Sequence, residues 1–529
     1  MRYILTFVVS VALFGVISAC PDKCSCDNYG YGVYVYCQSR GIGSVPRNLP
    51  LDTYSLDLSY NNISVMEELV FTNLTSLRYL NLEGNEISVV QTGVFGNLPR
   101  LYNLVLTGNK ISVVKTGAFC NLPNLYQLNL QNNNISLIEE LAFINLTSLQ
   151  YLNLGGNEIS VVQTGVFCNL PRLNNLVLTE NKISVVKTGA FCNLPNLYQL
   201  NLQNNNISLI EELAFINLTS LRYLYLTGNK ISDVKTGAFC NLPNLCTLDL
   251  SYNNISVMEE LAFTNLTSLQ YLYLGTNSIS VVQTGVFCDL PRLHYLDLTE
   301  NKISVVKTGA FCNLPSLYHL DINGNEISVV KTGAFCNLPN LFQLNLWNNN
   351  ISLIEEFAFI NITSLQYLNL QLYCDCNSIW MWEWTKSTGK FKTSISCIDY
   401  YDTYLSSIPT CNFDHCNETS CSVNICMNGG TSYKDNYGNQ KCLCLGDWIG
   451  ETCTVSPCFS SPCQNNGICT VDGIGRAVCS CLGNWSGKTC REGPCNSQIC
   501  GTDECYYNAT GFVKCFNRED KAYQNVVKV

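Results

Sequence analysis

Cysteine is the reactive residue type that stands out in this sequence, with 32 copies in 529 residues. Cysteines at that density are seldom kept reduced, so the chemistry that they indicate is disulfide formation in the secretory pathway. Catalysis would need reactive groups held together, and the three histidines, His294, His319 and His415, fall in no recognisable motif. We therefore predict a protein that is not an enzyme and that carries no metal and no cofactor.

Charge and targeting signals narrow the function further. The net charge is −10, from 30 Lys plus Arg against 40 Asp plus Glu, which argues against a nucleic-acid partner. Residues 1–19 hold an apolar run that ends in Ser18 and Ala19, the pattern of a cleaved signal peptide. Because no later apolar run reaches the roughly 20 residues of a membrane helix, we expect a secreted, extracellular protein with no membrane span.

A repeat of 24 residues organises the middle of the chain. The motif L-x-L-x-x-N recurs in register, and a last strand, Leu368 to Leu370, has Tyr373 in place of the asparagine. With the following I-S-x-[VI] and F-x-N-L-[PT]-x-L, it resembles the leucine-rich repeat of extracellular proteins over roughly residues 53–372. The asparagines that mark the repeats are Asn61, Asn85, Asn109, Asn133, Asn157, Asn181, Asn205, Asn229, Asn253, Asn277, Asn301, Asn325 and Asn349.

The pattern predicts an α/β solenoid. Leu56 and Leu58 and their equivalents point inward from a short strand, and Phe71 and its equivalents fill the core from the opposite wall. The resemblance implies a curved parallel sheet on the concave face and a mostly irregular or short-helical convex face. No single coil buries its apolar face alone, so we expect stability to come from stacking. The asparagine column is expected to form an amide ladder.

Cysteine clusters flank the repeats where an open end coil would expose its core. They resemble the family's N-terminal cap at 20–52 and C-terminal cap at 373–415, and the second contains the aromatic run Trp380 to Trp384. We expect these tryptophans to be cap core rather than ligand site. The C-x-C pairs are also compatible with zinc, but the secretory context favours disulfides. The cap cysteines are Cys20, Cys24, Cys26, Cys37, Cys374, Cys376, Cys397 and Cys411.

The remaining chain resembles small modules like those of epidermal growth factor: a degenerate one at 416–454, a complete one at 455–491, and a truncated one with a tail at 492–529. In the first, Ser432 replaces the third cysteine, and Cys416 is a candidate partner for Cys421. No calcium site is expected before the complete module. For that module the resemblance implies pairs Cys458 with Cys469, Cys463 with Cys479, and Cys481 with Cys490.

Ligand contact is predicted on the concave side of the repeat strands. Side chains alternate along a strand, so the residues between and beside the leucines face solvent there. Tyrosine and tryptophan supply large contact area at low entropic cost, which favours binding over the alternative that these aromatics reflect β propensity. The residues that we predict to contact ligand are Tyr223, Tyr225, Asp249, Tyr271, Tyr273, Tyr295, Asp297, Asp321 and Trp347.

Eight cysteines lie inside the repeats. Equivalent positions on adjacent coils lie within disulfide distance, and Cys168 with Cys192 is one candidate pair. Because Cys120 has no counterpart in an adjoining coil and the column contains an odd trio, we expect small buried thiols instead. The eight residues are Cys120, Cys168, Cys192, Cys240, Cys246, Cys288, Cys312 and Cys336.

Asparagine sequons that precede a wall leucine or isoleucine are the best candidates for N-glycosylation. They fall on the convex side, where a glycan leaves the concave face free. These acceptors are Asn73, Asn145, Asn217, Asn265 and Asn361.

Taken together, these features predict a secreted recognition protein that binds a protein or glycan on its concave face, with a cell-surface receptor as a further partner. The family resemblance divides among Slit-like guidance ligands, the variable lymphocyte receptors of jawless vertebrates and lancelet-type repeat proteins of immunity or adhesion. Innate-immune-type recognition or cell adhesion is favoured. A guidance ligand and a structural component of the extracellular matrix remain as alternatives.

Overall fold

A computed structural model describes most of the repeat region and parts of the C-terminal modules. The described residues are 20–68, 70–168, 170–287, 290–311, 314–335, 338–355, 358–359, 362–374, 378–388, 394–398, 403–407, 431–434, 440–449, 453, 455–458, 462–465, 467–472, 475–481, 487–491, 504–507, 512–517 and 522–528.

The chain divides into two compact units. One unit holds the N-terminal cap, the repeats, and residues 380–396 and 404–406. The other holds the C-terminal modules together with Cys374–Ile379 and Cys397–Thr403. Among the described residues, no helix is long and apolar enough to cross a membrane.

One parallel sheet runs through the repeats, with each strand paired to the strand 24 residues away. Its central leucines lie in register, as Leu80 with Leu104 and Leu224 with Leu248. The predicted solenoid with a parallel sheet is therefore confirmed. The strands are Thr53–Asp57, Tyr79–Asn81, Asn103–Val105, Gln127–Asn129, Tyr151–Asn153, Asn175–Val177, Gln199–Asn201, Tyr223–Tyr225, Thr247–Asp249, Tyr271–Tyr273, Tyr295–Asp297, His319–Asp321, Gln343–Ile351 and Tyr367–Leu372.

The return segments of the repeats consist of turns and two-residue parallel strands. In each of these short strands the second side chain is buried and the first points outward. In Val185–Val186, for example, Val186 is buried. These strands are Val113–Val114, Leu137–Ile138, Val185–Val186, Leu209–Ile210, Asp233–Val234, Val257–Met258, Val281–Val282, Val305–Val306, Val329–Val330 and Leu353–Ile354.

The core is a column of phenylalanine rings enclosed by leucines. Phe71 stacks on Phe95 with centroids 5.9 Å apart, and the column continues to Phe359. Most of these rings are fully shielded from solvent. Since burial of each such side chain contributes about 1.5 to 3 kcal/mol, the column is a major source of cohesion between coils.

The asparagine column forms the amide ladder that the sequence predicts. In one repeat, the side-chain nitrogen of Asn181 donates to the backbone oxygens of Leu154 at 2.9 Å and Leu178 at 3.2 Å. It also donates to Thr179 at 3.1 Å, while Oδ1 accepts the N–H of Ile159 at 3.0 Å. Each amide thus satisfies backbone groups of its own coil and of the preceding one.

A disulfide-linked hairpin covers the first coil. Strands Ser25–Asn28 and Val33–Tyr36 pair antiparallel, and the second continues the sheet by pairing parallel with Thr53–Asp57. Disulfides join Cys20 to Cys26 and Cys24 to Cys37. The hairpin therefore extends the repeat sheet by two strands at its N-terminal edge.

At the other end, the helix Ile379–Thr388 continues the aromatic column. Trp384 stacks on Phe359 with centroids 6.1 Å apart, and Trp380 Nε1 donates to the backbone oxygen of Ile354 at 3.0 Å. The tryptophans thus pack as cap core. A short strand, Ile395–Cys397, and a 3₁₀ turn, Leu405–Ser407, follow.

The second unit is held by disulfides. Cys374 pairs with Cys397, Cys444 with Cys453, and the complete module contains the three pairs that the resemblance implied. The predicted positions Cys376, Cys411, Cys416 and Cys421 lie outside the described residues. The strands are Thr403–Tyr404, Thr431–Lys434, Gln440–Leu443, Ile468–Val471, Ala477–Ser480, Glu504–Tyr507, Phe512–Asn517 and Ala522–Lys528.

The expectation of buried thiols within the repeats is wrong in two respects. Cys168 and Cys192 form a disulfide, since their Cα atoms lie 5.4 Å apart on adjacent coils. Cys120, Cys240 and Cys246 are free thiols, but each is partly exposed rather than buried. Cys288, Cys312 and Cys336 lie outside the described residues.

Replacing a ladder asparagine should destabilise the solenoid. Asn181→Ala leaves the N–H of Ile159 buried without a partner and removes one of two donors from the carbonyls of Leu154 and Leu178, so we expect a loss of about 2 to 4 kcal/mol in unfolding free energy. Denaturant unfolding followed by circular dichroism measures it. The matched control is Asn174→Ala in the same repeat, where the side chain is exposed; equal losses in both variants would contradict a ladder that stabilises the coils.

Candidate ligand-binding surface

The predicted contact residues lie in two in-register rows on the concave sheet, which we call the tyrosine-aspartate face. The first row runs through Tyr223, Tyr271 and Tyr295, with Thr247 between the first two. The second row is continuous over five strands. In order, it contains Tyr225, Asp249, Tyr273, Asp297 and Asp321.

Side chains of this face stand outside the core. Within each strand the central leucine is fully buried, as at Leu224 and Leu272, while the tyrosines on either side are half-buried. Because the leucines and phenylalanines already fill the interior, the solenoid does not require tyrosine at the outward positions. Their identity is therefore free to serve contact with a ligand.

Several of the aromatic rings contact one another, either within one strand or across neighbouring strands. Tyr223 lies 6.3 Å from Tyr225, and Tyr273 lies 5.4 Å from Tyr295 between ring centroids. Tyr295 in turn lies 4.7 Å from His319. These contacts fix the rings at low entropic cost, which gives a preformed surface.

The three aspartates share a local structural task that does not need their charge. Oδ1 of Asp249 accepts the N–H of Ser251 at 3.0 Å, and Asp297 and Asp321 make the same bond two residues onward. At the equivalent position Asn129 makes this bond with Gln131 at 3.1 Å. Since a neutral amide suffices for this hydrogen bond, the turn does not require the negative charge of the aspartates.

That charge has no cationic partner in the part of the chain that the structure describes. Among the described residues, ion pairs join Arg47 to Glu67, Lys110 to Glu86 and Lys182 to Glu158, and no aspartate of the face takes part. An acidic strip on a concave, partly desolvated surface attracts positively charged groups. The strip is therefore electrostatically complementary to a basic ligand.

Burial and the carboxylates keep the phenols of the face protonated. Burial, with Asp297 and Asp321 adding to it, raises the pKa of Tyr295 to about 12. Burial and then Asp249 raise the pKa of Tyr273 and of Tyr225. These phenols remain neutral hydrogen-bond donors at physiological pH.

A histidine that the sequence did not single out lies at the end of the two rows. His319 Nε2 is buried and has no hydrogen-bond partner among the described residues. Burial lowers the pKa of His319, with Asp321 and Asp297 opposing in part. Burial raises the pKa of Asp321, although Asn323 and the Asn345 side chain, at 3.2 Å, donate to its carboxylate.

Two predicted residues are less closely joined to the face. Trp347 belongs to the strand Gln343–Ile351, is 36% exposed, and makes no ring contact with the tyrosines in the described part of the chain. Tyr271 lies in the first row, with no ring contact described for it. Both point to the concave side but are not packed into the aromatic cluster.

A third row, which the L-x-L pattern did not predict, lies at the residue directly before each strand. Tyr102 and Tyr126 stack with centroids 4.7 Å apart, and His294, Tyr318 and Phe342 form a second stack with separations of 5.0 and 4.7 Å. The signal was the 24-residue spacing of these aromatics. They were overlooked because they precede the L-x-L motif.

Metal chemistry finds no support in the described residues. No group of three or more His, Cys, Asp or Glu side chains there is placed to hold a metal ion. The face presents aromatic rings, phenol hydroxyls and carboxylates.

The match to a known protein family lies in the repeat region. A family model described as leucine rich repeat matches residues 53–111, 99–159, 123–179, 171–231, 219–279, 271–327 and 315–371. Leucine-rich repeat-containing protein 3 of Mus musculus is 40% identical over 65 residues, which is 12% of this chain and 25% of that protein. Asporin of Bos taurus is 42% identical over 69 residues, 13% of this chain and 18% of asporin. The chain thus spans a quarter or less of these relatives.

Among solved structures, a chain in the Toll–Spatzle complex of Drosophila matches 75% of this chain and 59% of its own length. The TM-score is 0.56 at 19% sequence identity. At that identity the likeness shows the fold alone.

The buried histidine generates a pH-dependent prediction. In nuclear magnetic resonance of histidine-labelled protein, we expect His319, assigned by loss of its signal in His319→Gln, to titrate below 6.5. Because protonation is disfavoured in the folded state, its contribution to stability is present above about 6.5 and is lost as pH falls through the lowered pKa. Asp297→Asn should lower that pKa further, since the carboxylate favours the imidazolium.

Two outcomes would contradict this description. One is a midpoint for His319 at or above 6.5. The other is a melting temperature that falls equally in wild type and His319→Gln as the solution is acidified below that value.

Proposed function

This chain belongs to the leucine-rich repeat family, and on that premise we propose that it is a secreted, non-enzymatic recognition protein whose tyrosine-aspartate face binds a protein ligand. The recognition would serve innate-immune-type detection or cell adhesion. The observation that carries the proposal is the aspartate row, in which three carboxylates stand among tyrosines without a cationic partner in the described chain.

The hydrogen bond that closes the turn does not explain why these positions carry aspartate. The bond that Asp249 makes to Ser251 is made equally well by Asn201 to Gln203, which is neutral. Uncompensated charges at close quarters repel one another, so they add no stability to the solenoid. A basic group of a ligand would relieve that repulsion, which is what charge complementarity at an interface provides.

The dimensions of the face suit a protein rather than a small molecule. Six strands from Tyr223–Tyr225 to Gln343–Ile351 pair in sequence, which at about 4.8 Å per step gives a surface about 24 Å long. Surfaces of that length match one side of a standard protein interface. Aromatic anchors within a preformed sheet are typical of the centre of such interfaces.

The C-terminal unit supports an extracellular assignment. We propose that the complete module, with disulfides Cys458–Cys469, Cys463–Cys479 and Cys481–Cys490, is a domain like epidermal growth factor. Disulfides of this density form in oxidising compartments. The modules would act as a spacer or as a second contact surface.

Glycans would shield the wall opposite the binding face. Asn73, Asn145, Asn217 and Asn265 are all exposed on the turns that follow the wall phenylalanines. Three of them have positive φ angles of 65°, 68° and 65°, a conformation that asparagine tolerates well and that presents the side chain outward. Asn361, which we also predict as an acceptor, lies outside the described residues.

Binding by the face is tested on panels of microbial and animal cells. Changing Tyr223, Tyr225, Tyr271 and Tyr273 together to serine removes the aromatic anchors, so we expect binding of the secreted protein to fall about tenfold or more. Flow cytometry with fluorescently labelled protein measures it. The panel also separates microbial detection from adhesion to animal cells.

The control carries Tyr60→Ser and Tyr252→Ser, two exposed tyrosines outside the face. Both variants must melt at the wild-type temperature. Retention of binding by the fourfold variant, or equal loss in the control, would reject the face as the contact. Binding that survives protease treatment of the cells but not glycosidase treatment would replace a protein ligand by a glycan.

The glycan sites are tested separately. We expect Asn73, Asn145, Asn217 and Asn265 to carry glycans, because each is an exposed acceptor on the convex wall. Enzymatic release in ¹⁸O-enriched water marks each occupied asparagine as an ¹⁸O-labelled aspartate in peptide mass spectra. Unmodified peptides at all four positions would contradict the assignment, and asparagine-to-glutamine variants provide the matched control.

A further inference from the structure

A second hollow lies on the concave face at its N-terminal end, apart from the tyrosine-aspartate face. It has a volume of about 500 Å³, within the range of ligand-binding pockets. We call it the tyrosine cavity. Its aromatic walls are Tyr34, Tyr36, Tyr54 and Tyr79, and its polar floor includes Asp57.

The cavity exists because the cap hairpin is in register with the first repeats. Tyr34 pairs with Ser55, which in turn pairs with Tyr79 on the next strand. Tyr36 pairs in the same way with Asp57. The cap therefore supplies one aromatic wall, and the first two repeat strands supply the floor and the other wall.

The tyrosine rings form a connected cluster that the core does not need. Tyr34 and Tyr54 have centroids 5.5 Å apart, and Tyr54 and Tyr79 lie 5.7 Å apart. The Tyr31 ring packs edge-on against the Tyr54 ring, with their centroids 5.1 Å apart, and Tyr31 is 64% exposed. Tyr31 and Tyr79 are exposed, and an exposed group of aromatic rings on one surface marks an interaction site.

Asp57 is the one charged side chain that lines the cavity. Its Oδ1 accepts the N–H of Ser59 at 2.9 Å, the bond that Asn81 makes with Glu83 in the next repeat. No ion pair of the described residues involves Asp57. As on the other face, the negative charge is additional to what the turn requires.

The chain already places a cation against this cluster. The Arg78 guanidinium lies 5.8 Å from the centroid of the Tyr54 ring. Electron-rich ring faces attract cations, and aromatic side chains grouped around a carboxylate are the usual surroundings of a bound guanidinium or ammonium. The chemistry of the cavity therefore matches a positively charged group.

We propose that the tyrosine cavity binds an arginine or lysine side chain of an extended segment of a protein partner. The aromatic walls hold the cationic head and its apolar stem, and Asp57 neutralises the charge. The inference does not rest on the proposed function, because it concerns different residues at the opposite end of the sheet.

The test uses the full-length secreted protein and a fluorescein-labelled peptide, Gly-Arg-Gly-Arg-Gly, followed by fluorescence anisotropy. A peptide with citrulline in place of both arginines keeps the planar shape and part of the N–H donor set but lacks the charge. We expect the citrulline peptide to bind about tenfold more weakly, the scale of a partly desolvated cation on aromatic rings. Equal binding of the two peptides, or no binding of either at millimolar concentration, overturns the proposal.

Variants locate the contact. Asp57→Asn keeps the bond to Ser59 and removes only the charge, so we expect binding about fivefold weaker. Tyr79→Leu should weaken binding similarly, whereas Tyr79→Phe, which keeps the ring, should stay within about twofold. The charge-matched control is Asp233→Asn on a convex strand, which should leave the affinity unchanged.

Three results place the peptide elsewhere and overturn the assignment. In one, Asp57→Asn and Tyr79→Leu bind as well as wild type. In another, binding is lost only when Asp249, Asp297 and Asp321 are changed together to asparagine. In the last, Asp233→Asn matches the loss in Asp57→Asn, so that only net charge matters.

Discussion

The asparagine amide ladder is the interaction on which the rest of the structure depends. Each side chain bonds to backbone groups of two successive coils, so it sets both the bend of a coil and the distance to the next one. The stacked phenylalanines then fill a space whose repeat length the ladder has already defined. With both columns inside, every coil presents its outward strand positions at the same height. The rows of tyrosine and aspartate follow from that regularity.

This separation of tasks explains how a nearly uniform scaffold carries distinct surfaces. Asparagine or aspartate at the strand end closes the same local turn. A carboxylate can therefore replace the neutral amide without disturbing the fold. The solenoid uses this freedom at Asp249, Asp297 and Asp321, and again at Asp57 beneath the cap. Aromatic neighbours lie next to these carboxylates in each place. The chain thus combines negative charge with ring surface at two ends of one sheet.

Much of this was predictable from periodicity, because spacing reports directly on in-register stacking. The leucine rows, the asparagine ladder and the positions of Tyr225 and Asp297 on one side of the sheet all follow from it. The stack of Tyr318 on Phe342 was missed because these residues precede the alternating segment. The tyrosine cavity depends on the irregular register between Val33 and Tyr34, which no repeat pattern encodes. The Cys168 disulfide was misjudged because parity along the column does not decide whether two particular neighbours meet.

That disulfide also has a mechanical meaning. It links two positions 24 residues apart, so it ties one coil to the next near the middle of the array. A solenoid is held together by contacts between neighbouring coils, so a covalent tie keeps two coils adjacent even where those contacts are lost. Under tension, the enclosed segment stays hidden, which shortens the stretched chain by about 80 Å at roughly 3.4 Å per residue. The array therefore has two parts, one on each side of the tied coils. Coils can separate in one part without loosening the other.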